Sequence, residues 1–223
     1  LMKINLLKKI ENKDAVIGII GLGYIGLPLI LRYAEVGFRV IGFDNDKNKI
    51  HQLKLGKSYI DHIDKKLFKS FSNEIIFTSN YKKISEVDII ILCLPTPLTK
   101  NREPDLSFII SAMKSILPYL KMGQVISLES TTYPGTTEET ILPLIISKGF
   151  KVGNNFFLVY SPEREDPGNK NFKTQQIPKI VSGYSKNCLE IGISTYQMAI
   201  ENIVPVSSTK VAEMSKLLEN IYR

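Results

Sequence analysis

The sequence predicts an α/β fold with a doubly wound, mainly parallel sheet and helices on both faces. Three observations carry that expectation. Short apolar, β-branched runs alternate with longer amphipathic segments. The first such run passes directly into Gly21-Leu22-Gly23-Tyr24-Ile25-Gly26 and then into a helical pattern. The second run ends on an acidic residue, Asp44. Strands are expected at 15–20, 39–43, 75–78, 87–94, 124–128 and 156–160, with weaker ones at 179–182 and 202–206. Helices are expected near 24–36, 46–55, 107–121, 135–148, 186–200 and 209–223, and an amphipathic helix precedes them at Met2 to Lys9. Nearly continuous apolar strands of this kind are buried on both faces, as βαβ crossovers require.

The glycine segment gives this Rossmann-like arrangement a ligand. A strand, a tight turn and a helix with free N–H groups at its start form a seat for a pyrophosphate. Gly21 permits the turn, Gly23 lets the backbone approach the phosphates, and Gly26 lets helix and strand pack closely. Asp44 lies eighteen residues beyond Gly26, close to the roughly 20 expected for the acid that binds the adenosine ribose hydroxyls. Its charge would repel a 2′-phosphate, which favours NAD over NADP. A plainer role for Asp44 is to cap the helix beginning near Asp46 and Lys47, and the two roles are compatible. Tyr24 and Ile25 within the turn, Lys49 in the helix after Asp44, Thr96 after the fourth strand and Thr131 after the fifth complete the expected cofactor-binding set.

Composition excludes several other classes. The chain has 223 residues, of which 43% are hydrophobic, enough for a substantial core and against disorder. No stretch approaches the roughly 20 apolar residues of a membrane span, and the N-terminus lacks a signal-peptide core, so a cytoplasmic location is expected. Cys93 and Cys188 form no metal or redox spacing, and no metal site is expected. The net charge of +7 comes from scattered lysine doublets such as Lys8-Lys9, Lys65-Lys66 and Lys82-Lys83, not from a basic block with interleaved aromatics. That pattern points away from nucleic acid and suits anionic small ligands.

In doubly wound sheets, ligands bind beyond the carboxyl ends of the strands. Three segments there are unusual. Pro95 to Leu106 contains three prolines, with Asp105 or Ser107 able to cap the next helix. Glu129 to Thr137 is rich in hydroxyls, and Ser161 to Asn169 is densely charged. Each alone also has a plainer reading as a stiff connector, a cap or a solvated loop; three on one edge point to a polar ligand.

From about Ala15 to Arg223 the chain resembles the UDP-glucose/GDP-mannose dehydrogenases. The resemblance rests on Gly21 to Pro28, Pro95-Thr96-Pro97, Glu129-Ser130-Thr131, Ser161-Pro162-Glu163 and the run from Ala212 to Asn220. Pro95 to Ser107 and Ser161 to Lys170 look most like the branch that oxidises UDP-N-acetylglucosamine or a related N-acetylhexosamine. The resemblance implies conversion of the sugar C6 alcohol to a carboxylate in two NAD-dependent oxidations, through a covalent thiohemiacetal on a cysteine. It implies that Thr131 and Glu163 position the cofactor and the hydrolytic water, and that Lys216 and Asn220 stabilise the oxyanion. Those last two stand four apart on an expected helix, so both can donate from one face, although a lysine and an asparagine at this spacing are more often simply solvated.

The family's nucleophilic cysteine sits in a Gly-Gly-His-Cys-like motif, and nothing like it occurs before Arg223. Cys93 lies in an apolar strand and Cys188 at a helix start remote from any motif, so neither is expected to replace it. The stripe Val211, Met214, Leu218, Ile221 and Tyr222 runs to the last residues without a helix stop. The expectation is therefore an NAD-binding domain over 1–207, the start of a central linker helix over 208–223, and an absent C-terminal UDP-sugar-binding domain. By resemblance the full-length protein is a homodimer. Such a chain would bind NAD without oxidising sugar. Two rivals remain at this stage: a stand-alone NAD-binding module, and a hydroxyacid dehydrogenase of the 6-phosphogluconate type.

Overall fold

The computed structural model of the chain describes residues 1–60, 63, 68, 70–71, 75–100, 104–163 and 177–222. Eight strands form one sheet: β1 (Val16–Ile20), β2 (Arg39–Phe43), β3 (Ile75–Thr78), β4 (Ile89–Leu92), β5 (Val125–Leu128), β6 (Phe157–Tyr160), β7 (Lys179–Gly183) and β8 (Ile203–Pro205). Their spatial order is β3-β2-β1-β4-β5-β6-β7-β8. The sheet reverses direction of growth beside β1, and this switch point opens a crevice at the carboxyl edge. All pairings are parallel except β6 with β7.

Alternation along the strands explains the double-sided core. Ile17, Ile19, Ile89, Ile91, Phe157 and Val159 join one apolar cluster, while Ile90, Leu92, Leu158 and Tyr160 join a second on the opposite face. The first is covered by α1 (Met2–Glu11), α2 (Gly26–Glu35) and α6 (Lys186–Gln197). The second is covered by α4 (Ser107–Ile116), α5 (Leu142–Ile146) and α7 (Thr209–Tyr222). Helix α3 (Lys47–Lys54) follows β2 and adds Ile50 and Leu53 to the first cluster. Helix α1 docks on α6 through buried Leu6 and Ile10, and Lys3 Nζ donates to Asn187 Oδ1 at 3.0 Å and Glu190 Oε2 at 2.6 Å.

Two helices depart from the sequence expectation, each at a proline. The segment expected as a helix over 135–148 is a π-helical turn, Thr137–Ile141, followed by the short α5. Pro143 has no N–H to donate and its ring displaces the carbonyl one turn earlier, which widens the turn before it. The helix expected over 107–121 ends at Ile116, and a 3-10 turn over Leu117–Tyr119 contains Pro118.

Candidate functional site

The glycine loop joins β1 to α2 at the carboxyl edge. Gly21 has φ +94°, and a Cβ there would stand 2.3 Å from the Cys93 carbonyl oxygen. Both facts restrict the position to glycine. A Cβ on Gly26 would stand 1.9 Å from the Gly21 carbonyl and 3.2 Å from Ile19, so the helix start is pressed against the strand. Gly23 is the opposite case: a Cβ there would meet nothing within 4 Å. Helix α2 opens at Ile25 with no side-chain cap; the Leu27 N–H donates to the Gly23 carbonyl at 3.1 Å and Pro28 has no N–H, so the donors that border the space beside Gly23 are those preceding Leu27. Tyr24 is 62% exposed, and Ile25 packs partly against the core.

Asp44 follows β2 and is 7% exposed. Its Oδ2 accepts the Leu22 N–H at 3.0 Å and its Oδ1 accepts the Asp46 N–H at 2.9 Å. Lys49 Nζ lies 3.8 Å from Oδ2. The residue that caps α3 is Asp46, whose side chain accepts from the N–H groups of Asn48 and Lys49. Asp44 is thus not the cap, and it braces the glycine loop instead. An ionised carboxylate has about four acceptor positions, so two backbone donors leave room for ribose hydroxyls. An uncapped helix start, an open glycine and a carboxylate at the next strand's end fit a dinucleotide such as NAD.

The loops after β4, β5 and β6 are bound to one another. Thr96 Oγ1 donates to the Thr131 carbonyl at 2.6 Å, and the Leu94 N–H donates to Ser130 Oγ at 3.1 Å. The Glu163 N–H donates to the Glu129 carbonyl at 3.2 Å. The β5 loop is thus joined through Thr131 to the β4 loop and through the Glu129 carbonyl to Glu163 of the β6 loop. The charged segment beyond Glu163, through Asn169 and Lys170, lies outside the described residues, as do residues 101–103 of the proline-rich loop.

Beneath these loops lies a polar network that the sequence did not announce. Glu129, 1% exposed, accepts from Lys179 Nζ at 3.1 Å and from the Tyr196 hydroxyl at 2.7 Å. Tyr196 also shares a 2.7 Å hydrogen bond with Ser127 Oγ, and its ring lies 4.9 Å below the Lys179 ammonium. Burial pushes the Glu129 carboxyl up, and Lys179 offsets this only in part. Burial pushes the Lys179 ammonium down, but the carboxylates of Glu129 and Glu163 more than offset it and hold it above its ordinary value. Lys179 starts a weak strand fifty residues from its partner, a separation at which sequence spacing carries no signal.

Helix α7 is anchored at the end of the β5 loop. Glu213, fully buried, accepts the Gly135 N–H at 2.6 Å, the Thr137 N–H at 2.9 Å and the Thr137 hydroxyl at 2.7 Å. It supplies the acceptor that the first turn after Gly135 would otherwise lack. The sequence offered Glu213 only as part of the Ala212 to Asn220 run. Lys216 is 6% exposed, whereas Asn220, one turn on, is exposed. Their four-residue spacing thus spans two environments. Cys93 and Cys188 are buried thiols; Cys188 Sγ accepts the Leu158 N–H at 3.4 Å inside the core. Among the described residues no group of three His, Cys, Asp or Glu could hold a metal, and no helix is long and apolar enough to cross a membrane.

Residues 15–200 match the profile of the UDP-glucose/GDP-mannose dehydrogenase family, NAD binding domain. The chain belongs to this family. As a member of the UDP-glucose/GDP-mannose dehydrogenases it is 36% identical over 213 residues to a UDP-N-acetyl-D-glucosamine 6-dehydrogenase of Pseudomonas aeruginosa, covering 95% of this chain and 50% of the relative. It is 35% identical to a UDP-N-acetyl-D-mannosamine dehydrogenase of Methanococcus aeolicus, over 100% of this chain and 50% of that protein. The structure of a UDP-N-acetyl-mannosamine dehydrogenase from Staphylococcus aureus superposes with a TM-score of 0.87 at 32% identity, over 94% of this chain and 51% of that one. The chain spans about half the length of these relatives. Its cofactor is NAD, and its Rossmann-like, mainly parallel fold is that of the family's nucleotide-sugar dehydrogenases.

Proposed function

We propose that the chain is the NAD-binding half of a nucleotide-sugar 6-dehydrogenase that oxidises UDP-N-acetylglucosamine, or a related UDP-N-acetylhexosamine, to the uronic acid. The observation that carries this reading is the open Gly23 beside the uncapped start of α2 and the Asp44 carboxylate. It occurs in a chain whose relatives include UDP-N-acetyl-D-glucosamine and UDP-N-acetyl-D-mannosamine dehydrogenases. On this reading residues 1–207 form the NAD domain, residues 208–223 begin a central helix, and the sugar-binding half follows in the full-length protein. That protein is a cytoplasmic homodimer.

Bound NAD would supply the hydride acceptor for oxidation at the sugar C6. Gly21, Gly23, Tyr24, Ile25 and Gly26 would hold its diphosphate, Asp44 and Lys49 its adenosine ribose, and Thr96 with Thr131 its far end. Glu163 orients the water that hydrolyses the acyl intermediate, and Thr131 helps to place it. Lys216 and Asn220 donate to the oxygen on which negative charge develops, the first from a buried and the second from an exposed position on α7. Buried Cys93 and Cys188 are not the nucleophile. Calorimetric titration tests the reading: the chain binds NAD more tightly than NADP and forms no steady NADH with UDP-N-acetylglucosamine. Preference for NADP, or turnover by this chain, would refute it.

A further inference from the structure

Leu22 is held on both sides. Its N–H donates to Asp44 Oδ2 at 3.0 Å, and its carbonyl accepts the hydroxyl of Tyr59, a residue thirty-seven positions away. Tyr59 belongs to the segment after α3, where Ser58 Oγ accepts the Ile60 N–H at 3.0 Å and donates to the Ile60 carbonyl at 3.0 Å. The Lys49 ammonium lies 5.8 Å from the Tyr59 ring centre. The described residues contain no cis peptide bond, so the Leu22–Gly23 peptide is trans and its carbonyl and N–H point in opposite directions. By fixing the Leu22 carbonyl, Tyr59 fixes the Gly23 N–H the other way. Among the described residues that N–H has no partner, and a Cβ on Gly23 would meet open space.

We propose that Tyr59 is a positioning residue for the cofactor: its hydroxyl, opposed by Asp44, sets the Leu22–Gly23 peptide so that the Gly23 N–H faces the dinucleotide diphosphate. The inference rests on the NAD-binding reading above. Burial and the nearby Asp44 and Asp46 push the Tyr59 hydroxyl up, so it stays a proton donor through the ordinary pH range. A loop held in its binding conformation has less freedom to lose when ligand arrives, which is how a residue that touches no ligand raises affinity. Asp44 then has two tasks, and replacing it to admit a 2′-phosphate would also loosen the turn.

The test compares the wild type with Tyr59→Phe, which keeps the ring and removes the hydroxyl. Affinity for NAD and for ADP-ribose falls about threefold to tenfold, the range one hydrogen bond carries. Adenosine, which lacks the diphosphate, binds both forms alike, the thermal midpoint falls by no more than about 4 °C, and the Leu22 amide exchanges several-fold faster. NAD affinity within twofold of wild type overturns the proposal, as does an unchanged Leu22 exchange rate. An equal loss for adenosine would make Tyr59 a direct nucleoside contact and also overturn it. Absence of NAD binding in the wild type would remove the cofactor reading, while Leu22 exchange would still report whether the clamp exists.

Discussion

The Glu213 carboxylate on α7 accepts both the backbone N–H and the hydroxyl of Thr137, at 2.9 and 2.7 Å. With the 2.6 Å bond from Gly135 it ties the last helix to the loop that carries Thr131. Removing the carboxylate leaves buried donors without an acceptor, a cost of about 1–3 kcal/mol. Glu213→Ala should therefore lower stability by about 2–3 kcal/mol in urea denaturation, with α7 amides losing exchange protection first. A loss spread evenly over the sheet, with α7 no weaker than the rest, would show that Glu213 is not the anchor.

The three loop glycines should separate when each is changed to alanine. Gly26→Ala drives a methyl into the Gly21 carbonyl and should cost about 3 kcal/mol or more, because the partner is backbone and cannot step aside. Gly21→Ala combines a positive φ with a clash against Cys93 and should behave alike. Gly23→Ala meets no protein atom and should change stability by less than about 0.5 kcal/mol. Its methyl would enter the space reserved for the diphosphate, so NAD affinity should fall about tenfold or more while the fold survives. Thermal melts and NAD titrations on the three variants check this. An unaffected NAD affinity in Gly23→Ala would place the cofactor elsewhere.

What could be read from the sequence was what local pattern controls. The unbroken apolar run Ile89-Ile90-Ile91-Leu92 predicts a strand buried on both faces, and the glycine turn predicts its own backbone. Pro118 and Pro143 are plain in the sequence, but the helical periodicity around them hides where each ends or widens its helix. The antiparallel turn of β7 against β6 was not legible, since strand direction depends on the connection between them. Contacts between distant residues were the least legible. Lys179 looks like any strand-terminal lysine until the fold places it against Glu129, and Tyr59 like any loop tyrosine until it meets Leu22. The place of Asp44 at a strand end points to a ribose or a helix cap, and its bond to the Leu22 N–H follows only from the fold.

The buried ion pair yields a prediction that separates its charge from its packing. Lys179→Met leaves Glu129 in the interior without its cation and should cost about 3–5 kcal/mol. Adding Glu129→Gln removes the orphaned charge and keeps an acceptor for Tyr196. The double variant should recover more than half of the loss. Equilibrium unfolding of both singles and the double forms the cycle. A Lys179→Met variant within about 1 kcal/mol of wild type would mean that the pair contributes little.

Stability should also fall on the alkaline side in a defined window. Burial raises the hydroxyl pKa of Tyr33, Tyr160 and Tyr196, and Lys179 is held above its ordinary value by Glu129 and Glu163. Each of these groups therefore binds its proton more tightly in the folded chain than in the unfolded one. Their contribution is complete below the unfolded values, near 10 for tyrosine and about 10.4 for lysine, and is lost as pH rises past them. Urea midpoints should be level between about pH 8 and 9 and decline from about pH 10, with tyrosinate absorbance of the three buried rings appearing only as the chain unfolds. Lys179→Met should show a shallower decline because one of the four groups is gone. Ionisation of all tyrosines at pH 10 in a chain that remains folded would contradict the buried placement of these rings.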